Sequence, residues 1–191
     1  MQQLKDRILK EAAVASGHVL KVDSFLNHQM DVALFYEIGK EFHRLFKQDG
    51  ITKIVTVEAS GIGIACLAAL FFKVPVVFAK KQKTANLVED VYTTSVSSFT
   101  HGKLYDIVIS KEFLNPEDRI LLIDDFLANG CALNGLRDLV EQAEATLVGA
   151  GIVIEKGFQG GGDQLRAEGM RIESLAVIEK MDKDGIVISG E

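Results

Sequence analysis

Residues 120–132, Ile-Leu-Leu-Ile-Asp-Asp-Phe-Leu-Ala-Asn-Gly-Cys-Ala, restrict the fold more than any other stretch of the chain. Four branched aliphatics in a row fit neither an amphipathic helix nor a strand with one wet face. They read as a strand, Ile120 to Ile123, buried on both sides and running into two carboxylates, Asp124 and Asp125. The small residues Ala128 and Gly130 follow, and a helix is predicted from about Cys131 to Ala145. In an open α/β sheet the C-terminal ends of such strands are where ligands bind. A helix mouth with free N–H groups accepts a phosphate. Carboxylates would repel that phosphate, so hydroxyls of a sugar, or Mg²⁺ carried by the ligand, suit them better. Together the parts describe a site for ribose 5-phosphate; the plain alternative is a strand end with two solvated aspartates.

The rest of the pattern agrees with an α/β fold, a mostly parallel central sheet flanked by helices. Leu4 to Ala13 reads as a short amphipathic helix, and Asp31 can cap a longer one over Val32 to Gln48. Lys53 to Val57 is a buried strand, followed by the turn Glu58-Ala59-Ser60-Gly61 and an apolar helix to about Phe72. Pro75 opens a strand, Val76 to Ala79, that leads into Lys80, Lys81 and Lys83. Thr94 to Phe99 and Leu104 to Ser110 suggest a hairpin around His101-Gly102. Leu147 to Ile154 is another buried strand, Gly160-Gly161-Gly162 precedes a short helix, and Ile172 to Leu175 and Ile186 to Ser189 are strand-like.

At 191 residues the chain suits one domain, and its net charge of −6 argues against a broad nucleic-acid surface. Cys66 and Cys131 have no metal-ligand spacing, which suggests a reducing compartment. The charged N-terminus and the lack of a long apolar run predict neither signal peptide nor membrane span, so the expected location is cytoplasmic. His18, His28, His43 and His101 are scattered and receive no role.

The stretch from Ile120 to Ala132 resembles the signature by which type I phosphoribosyltransferases bind phosphoribosyl pyrophosphate (PRPP). Lys-Val-Asp-Ser-Phe-Leu-Asn-His-Gln at 21–29, Asp-Asp-Phe-Leu-Ala-Asn-Gly at 124–130 and Val-Ile-Glu-Lys-Gly-Phe-Gln at 153–159 narrow the resemblance to the bacterial xanthine phosphoribosyltransferases, over nearly the whole chain. The commoner signature has threonines at the places of Asn129 and Ala132. Here Asn129 offers an amide, and Ala132 only backbone.

What the resemblance implies is a single type I phosphoribosyltransferase domain, core about 31–154, with a small hood from about 1–30 and 155–191. Asp124 and Asp125 would face the ribose hydroxyls, and Ala128, Asn129, Gly130, Cys131 and Ala132 would hold the 5-phosphate. Ala59, Ser60 and Gly61 would receive the pyrophosphate, in a turn that in this family often holds a non-proline cis peptide. Read alone, Gly61-Ile62-Gly63 is a weak dinucleotide match, because Cys66 stands where the third glycine belongs. Lys81, in the densest basic cluster, would clamp the pyrophosphate; the plain reading of that cluster is a solvated turn. Residues 84–99 match a mobile loop that excludes water during reaction.

Lys156 would contact an exocyclic oxygen of a 6-oxopurine, Phe158 would stack on the base, and Leu20 and Asn27 belong to the base-reading hood. Without the resemblance Lys156 is a surface lysine, Phe158 a core phenylalanine and Asn27 a turn asparagine. Mg²⁺ would enter with PRPP rather than on a protein ligand set, and a homodimer is implied. Three readings stay open: transfer to xanthine, a sister enzyme acting on hypoxanthine and guanine or on adenine, and a PRPP-sensing regulator without catalysis. The first thirty residues are too few and too neutral for the DNA-binding element a regulator needs.

Overall fold

The computed structural model describes residues 1–15, 19–82, 90–97, 104–182 and 185–190. His18, Lys83, residues 84–89 of the expected mobile loop, Ser98, Phe99 and the expected hairpin turn at His101-Gly102 lie outside them.

The chain opens with α1 (Gln2–Glu11) and a small antiparallel pair, β1 (Ala13–Ala15) and β2 (Val19–Lys21). A π-helical turn over Asp23–Asn27 leads to α2 (Val32–Phe46). The Asp31 carboxylate caps α2 by accepting from the Leu34 N–H at 3.1 Å, as its side chain type predicts. Next come β3 (Lys53–Val57), α3 (Ser60–Phe72), β4 (Val76–Gln82), β5 (Val91–Ser97), β6 (Leu104–Ser110) and β7 (Arg119–Leu127). The chain closes with α4 (Cys131–Gln142), β8 (Thr146–Lys156), α5 (Gly161–Ala167), β9 (Ile172–Asp182) and β10 (Gly185–Ile188).

Eight strands form one sheet in the order β10-β9-β8-β7-β3-β4-β6-β5. From β9 through β4 all neighbours are parallel, and the antiparallel β10, β6 and β5 extend the edges. β5 and β6 pair antiparallel from Val91 with Ser110 to Ser97 with Leu104, the expected hairpin. Residues 91–97, counted in the mobile loop on resemblance, are therefore regular strand.

The apolar strands are explained by two cores, one on each face. On β7, Leu121 and Ile123 pack with Phe35, Phe42 and Phe46 of α2 and Ile64 of α3. The alternate residues Ile120 and Leu122 pack with Leu133, Leu136 and Leu139 of α4. A continuous hydrophobic strand is what a sheet covered on both faces requires. At Gly39 of α2 an added Cβ would stand 2.8 Å from the backbone nitrogen of Ala68 on α3, so the two helices approach backbone to backbone.

The N-terminal segment is tied to the far end of the chain. The Met1 ammonium donates to the Leu175 carbonyl at 2.9 Å, Lys5 donates to that of Ser189 at 2.6 Å, and Leu4 and Ile8 are buried. Of the C-terminal stretch expected in the hood, β9 lies inside the central sheet beside β8. Among the described residues no helix is long and apolar enough to cross a membrane.

Candidate functional site

β7 does not stop at the acidic pair. Aspartate is unfavourable in strands, which places the sequence-based end at Ile123. Pairing with β8 overrides that preference: Asp124 lies opposite Ile152, and the ladder continues to Leu127 opposite Glu155. The acids are consequently more enclosed than an open sheet edge would leave them, with Asp124 at 6% and Asp125 at 9% exposure. The Asp124 Oδ1 accepts the Asp125 N–H at 3.0 Å, and the Asp125 Oδ1 accepts that of Phe126 at 3.0 Å.

A Cβ added at Gly61, in the first turn of α3, would stand 3.2 Å from the Asp124 Oδ1, and it would collide with the Thr56 hydroxyl. The bare backbone of Gly61 is thus what lets the Glu58–Gly61 turn lie against the acid. Burial, followed by the charge of Asp125, holds the Asp124 carboxyl well above the ordinary aspartate range.

The loop after β7 turns at Gly130, whose φ of 84° is left-handed, and α4 begins at Cys131. The Asn129 Oδ1 accepts the Cys131 N–H at 3.2 Å, so this side chain braces the turn into the helix through its oxygen and keeps its amide hydrogens for other partners. Gly161 of α5 packs on this loop so closely that a Cβ there would collide with the Ala128 carbonyl and stand 2.6 Å from the Gly130 nitrogen.

Ala128, Asn129, Gly130, Cys131 and Ala132 line a cleft of about 210 Å³ together with Lys81, Ser97, Tyr105, Phe126, Leu127 and Leu133. Lys81 thereby faces the loop across the cleft, its Nζ 5.4 Å from the centre of the Tyr105 ring. Its backbone N–H donates to the Glu58 carboxylate at 2.6 Å, fastening the strand to the turn that opens α3. The Glu58–Ala59 peptide bond in that turn is cis, the feature the resemblance led us to expect.

Neither acid lines the cleft, but burial and then the charge of Asp124 hold the hydroxyl of Tyr105, which does, above the ordinary tyrosine range. Asp124 lies against Gly61 of one turn expected to hold a phosphate and stands four residues before the other in the chain. Lys80 and Lys81, the described members of the lysine cluster, do not share one patch. β4 runs on through Gln82, and strand alternation sends Lys80 to a separate groove of about 570 Å³ beside Phe78 and Phe113.

Of the residues expected to meet a base, Lys156 ends β8 with its ammonium 5.5 Å from the centre of the Phe126 ring, and burial lowers its pKa below the ordinary lysine value. Phe158 is 40% exposed on the 3₁₀ turn Gly157–Gln159, a surface position rather than the core one it would otherwise suggest. Asn27 ends the π-helical turn and is exposed. Leu20 of β2 is 5% exposed and packed in the core.

Sequence reasoning passed over Tyr105, Glu58 and Phe126, and also the ion pair of Glu155 with Arg166. Tyr105 stands in no motif; Glu58 opens the turn Glu58-Ala59-Ser60-Gly61, but only the three residues after it received a role. Phe126 sits inside the acidic motif, and its place two residues past Asp124 on a strand was the available signal. The run Gly160–Gly162 signalled that α5 approaches another backbone closely, without showing which.

Comparison with known proteins bears on the family and the fold. The sequence pattern of the phosphoribosyl transferase domain matches residues 22–179. A xanthine phosphoribosyltransferase of Lachnoclostridium phytofermentans is 60% identical over 189 residues, spanning 98% of this chain and 97% of that protein. One from Bifidobacterium longum is 57% identical over 185 residues, 96% of each chain. Among solved structures, the adenine phosphoribosyltransferase of Giardia lamblia in complex with 9-deazaadenine superposes with a TM-score of 0.76 at 21% identity, over 91% of this chain and 96% of that one. The Saccharomyces cerevisiae adenine enzyme gives 0.73 at 19% identity, over 92% and 99%. At such identities the structural likeness speaks for the fold.

Proposed function

The chain belongs to the phosphoribosyl transferase family, and on that premise we propose that it joins xanthine to the ribose of PRPP, giving xanthosine 5′-monophosphate and pyrophosphate in purine salvage. The observation that carries this reading is the cleft in which the 128–132 loop faces Lys81 with Asp124 close by. It offers backbone N–H groups for a 5-phosphate and a cation for pyrophosphate, and the acidic pair at 124–125, just before the loop in the chain, would meet the ribose hydroxyls. The choice of xanthine is supported by relatives of that name at 57–60% identity over almost the whole chain.

In the proposed reaction a purine nitrogen forms a bond to the anomeric carbon as the bond to pyrophosphate oxygen breaks, and the proton of that nitrogen passes to water. Pyrophosphate departs with the bonding pair toward Ala59–Gly61 and Lys81, while the acidic pair favours positive charge developing on the ribose. Positioning supplies most of the rate, since the protein makes no covalent bond to substrate. Adjacent carboxylates are hard oxygen donors too few to cage an ion alone. They fit Mg²⁺ that arrives on PRPP oxygens and keeps part of its water. Bound there, it would neutralise leaving-group charge. Lys156, beside Phe126 and Phe158, would donate to an exocyclic oxygen of the base, which favours a 6-oxopurine over adenine. A homodimer in the cytoplasm completes the proposal.

The test is a spectrophotometric assay of xanthine, hypoxanthine, guanine and adenine, each with Mg²⁺ and PRPP. Xanthine should turn over fastest, with stoichiometric pyrophosphate. Faster turnover of another base would overturn the substrate assignment, and no turnover of any would leave the regulator.

A further inference from the structure

Glu155 is 2% exposed at the end of β8, immediately before Lys156, and both of its oxygens are taken by Arg166 of α5, at 2.8 and 2.6 Å. The Ser174 hydroxyl of β9 donates to the same carboxylate, and it lies 3.5 Å from the Arg166 guanidinium. A carboxylate buried to this degree is tolerable only when it is paired and hydrogen-bonded, and the two-pronged arginine fixes direction as well as charge. On its own strand the neighbouring residue, Lys156, is the proposed base donor. On the other side the ion pair reaches the phosphate loop through glycines. A Cβ at Gly162 would collide with the Glu155 carboxylate, and one at Gly161 would collide with the Ala128 carbonyl and the Asn129 backbone. α5 is thus wedged between the buried carboxylate and the 128–130 backbone. A second pair, Arg137 of α4 with Glu168 at 2.7 Å, holds the far end of α5 to the helix that the loop opens.

We propose that Arg166 is a positioning residue: its pair with Glu155, completed by Ser174, presses α5 onto the 128–132 loop and sets the loop's N–H groups for the 5-phosphate of PRPP. Substrate is not touched by Arg166, which acts only through Gly161 and Gly162. A pair needed for stability alone would have no reason to act on this loop more than on the rest of the sheet. The kinetic part of this proposal rests on the PRPP reading; the mechanical part does not.

The experiment compares wild type with Arg166→Ala and Ser174→Ala, at a temperature where each is folded by circular dichroism. Hydrogen–deuterium exchange without ligand reads the clamp directly. In Arg166→Ala the amides of 128–133 should exchange about tenfold faster, those of α2 at the wild-type rate, and Ser174→Ala should do the same more weakly. In steady-state assays the KM for PRPP should rise roughly tenfold to a hundredfold, with a smaller change in kcat. Unchanged exchange at 128–133, or an equal rise over the whole chain, would overturn the clamp, as would an unaltered KM for PRPP beside a lowered melting temperature. If Arg166→Ala does not fold, Ser174→Ala, which keeps the ion pair, decides by the same criteria. Should wild type itself leave PRPP unconsumed, the functional reading fails, and the exchange measurement still judges the clamp.

Discussion

Asp124 occupies a place that folding by itself disfavours, since it is a carboxylate shut away from water next to a second carboxylate. Its folded-state pKa lies above the ordinary 3.8, so the native protein retains a proton that the unfolded chain releases. The sign follows: this group's contribution is intact below pH 3.8 and is lost as pH rises through the folded value. Asn has the same shape, keeps an oxygen to accept the Asp125 N–H, and cannot ionise. Asp124→Asn should therefore raise the melting temperature at pH 8, with the gain fading toward pH 4, while turnover falls by about a hundredfold or more. A variant no more stable than wild type at pH 8, or one with near-normal turnover, would contradict the placement of this acid. Glu155 is the opposite case. Burial alone would raise its pKa, but Arg166 and Ser174 outweigh burial and the net shift is downward, so its contribution is lost as pH falls rather than rises.

Elements whose residues agree with their surroundings could be read from the chain alone. α2 was legible because Phe35, Ile38, Phe42 and Phe46 recur at helical spacing behind an Asp cap, and all four are buried. β7 was legible up to Ile123, but its passage through Asp124 and Asp125 depends on pairing with β8, which local preference cannot show. For the same reason β4 holds Lys80 and Lys81 as strand residues on opposite faces, where composition suggested one basic patch. The tightest helix contact was not legible either: nothing near Gly39 announces that Ala68 will lie against it. Gly39→Val should cost about 3 kcal/mol, because the added atoms meet backbone rather than a side chain that can turn away. Urea unfolding measures this, and a loss under about 1 kcal/mol would show that α2 and α3 can separate without penalty.

At the scale of the whole molecule, the proposed site draws on segments far apart in the chain: the 128–132 loop, Lys81 of β4 and the 58–61 turn, with Lys156 and α5 as proposed additions. The acidic motif and its loop could be found in sequence because they are contiguous; Tyr105 and the Glu155–Arg166 pair could not, because only the sheet order brings in the one and the docking of α5 the other. The proposed homodimer is a property of this scale as well. Light scattering should give about twice the 20.9 kDa chain mass, and a monomer at assay concentration would contradict it. What the account most depends on is that the acidic pair and the helix mouth beyond it bind a phosphorylated pentose. Calorimetric titration with Mg²⁺-loaded PRPP tests that directly. Wild type should bind one equivalent per chain, and Asp125→Asn, still folded, should bind about tenfold more weakly. Absence of heat with wild type, or equal affinity in the variant, would contradict the account.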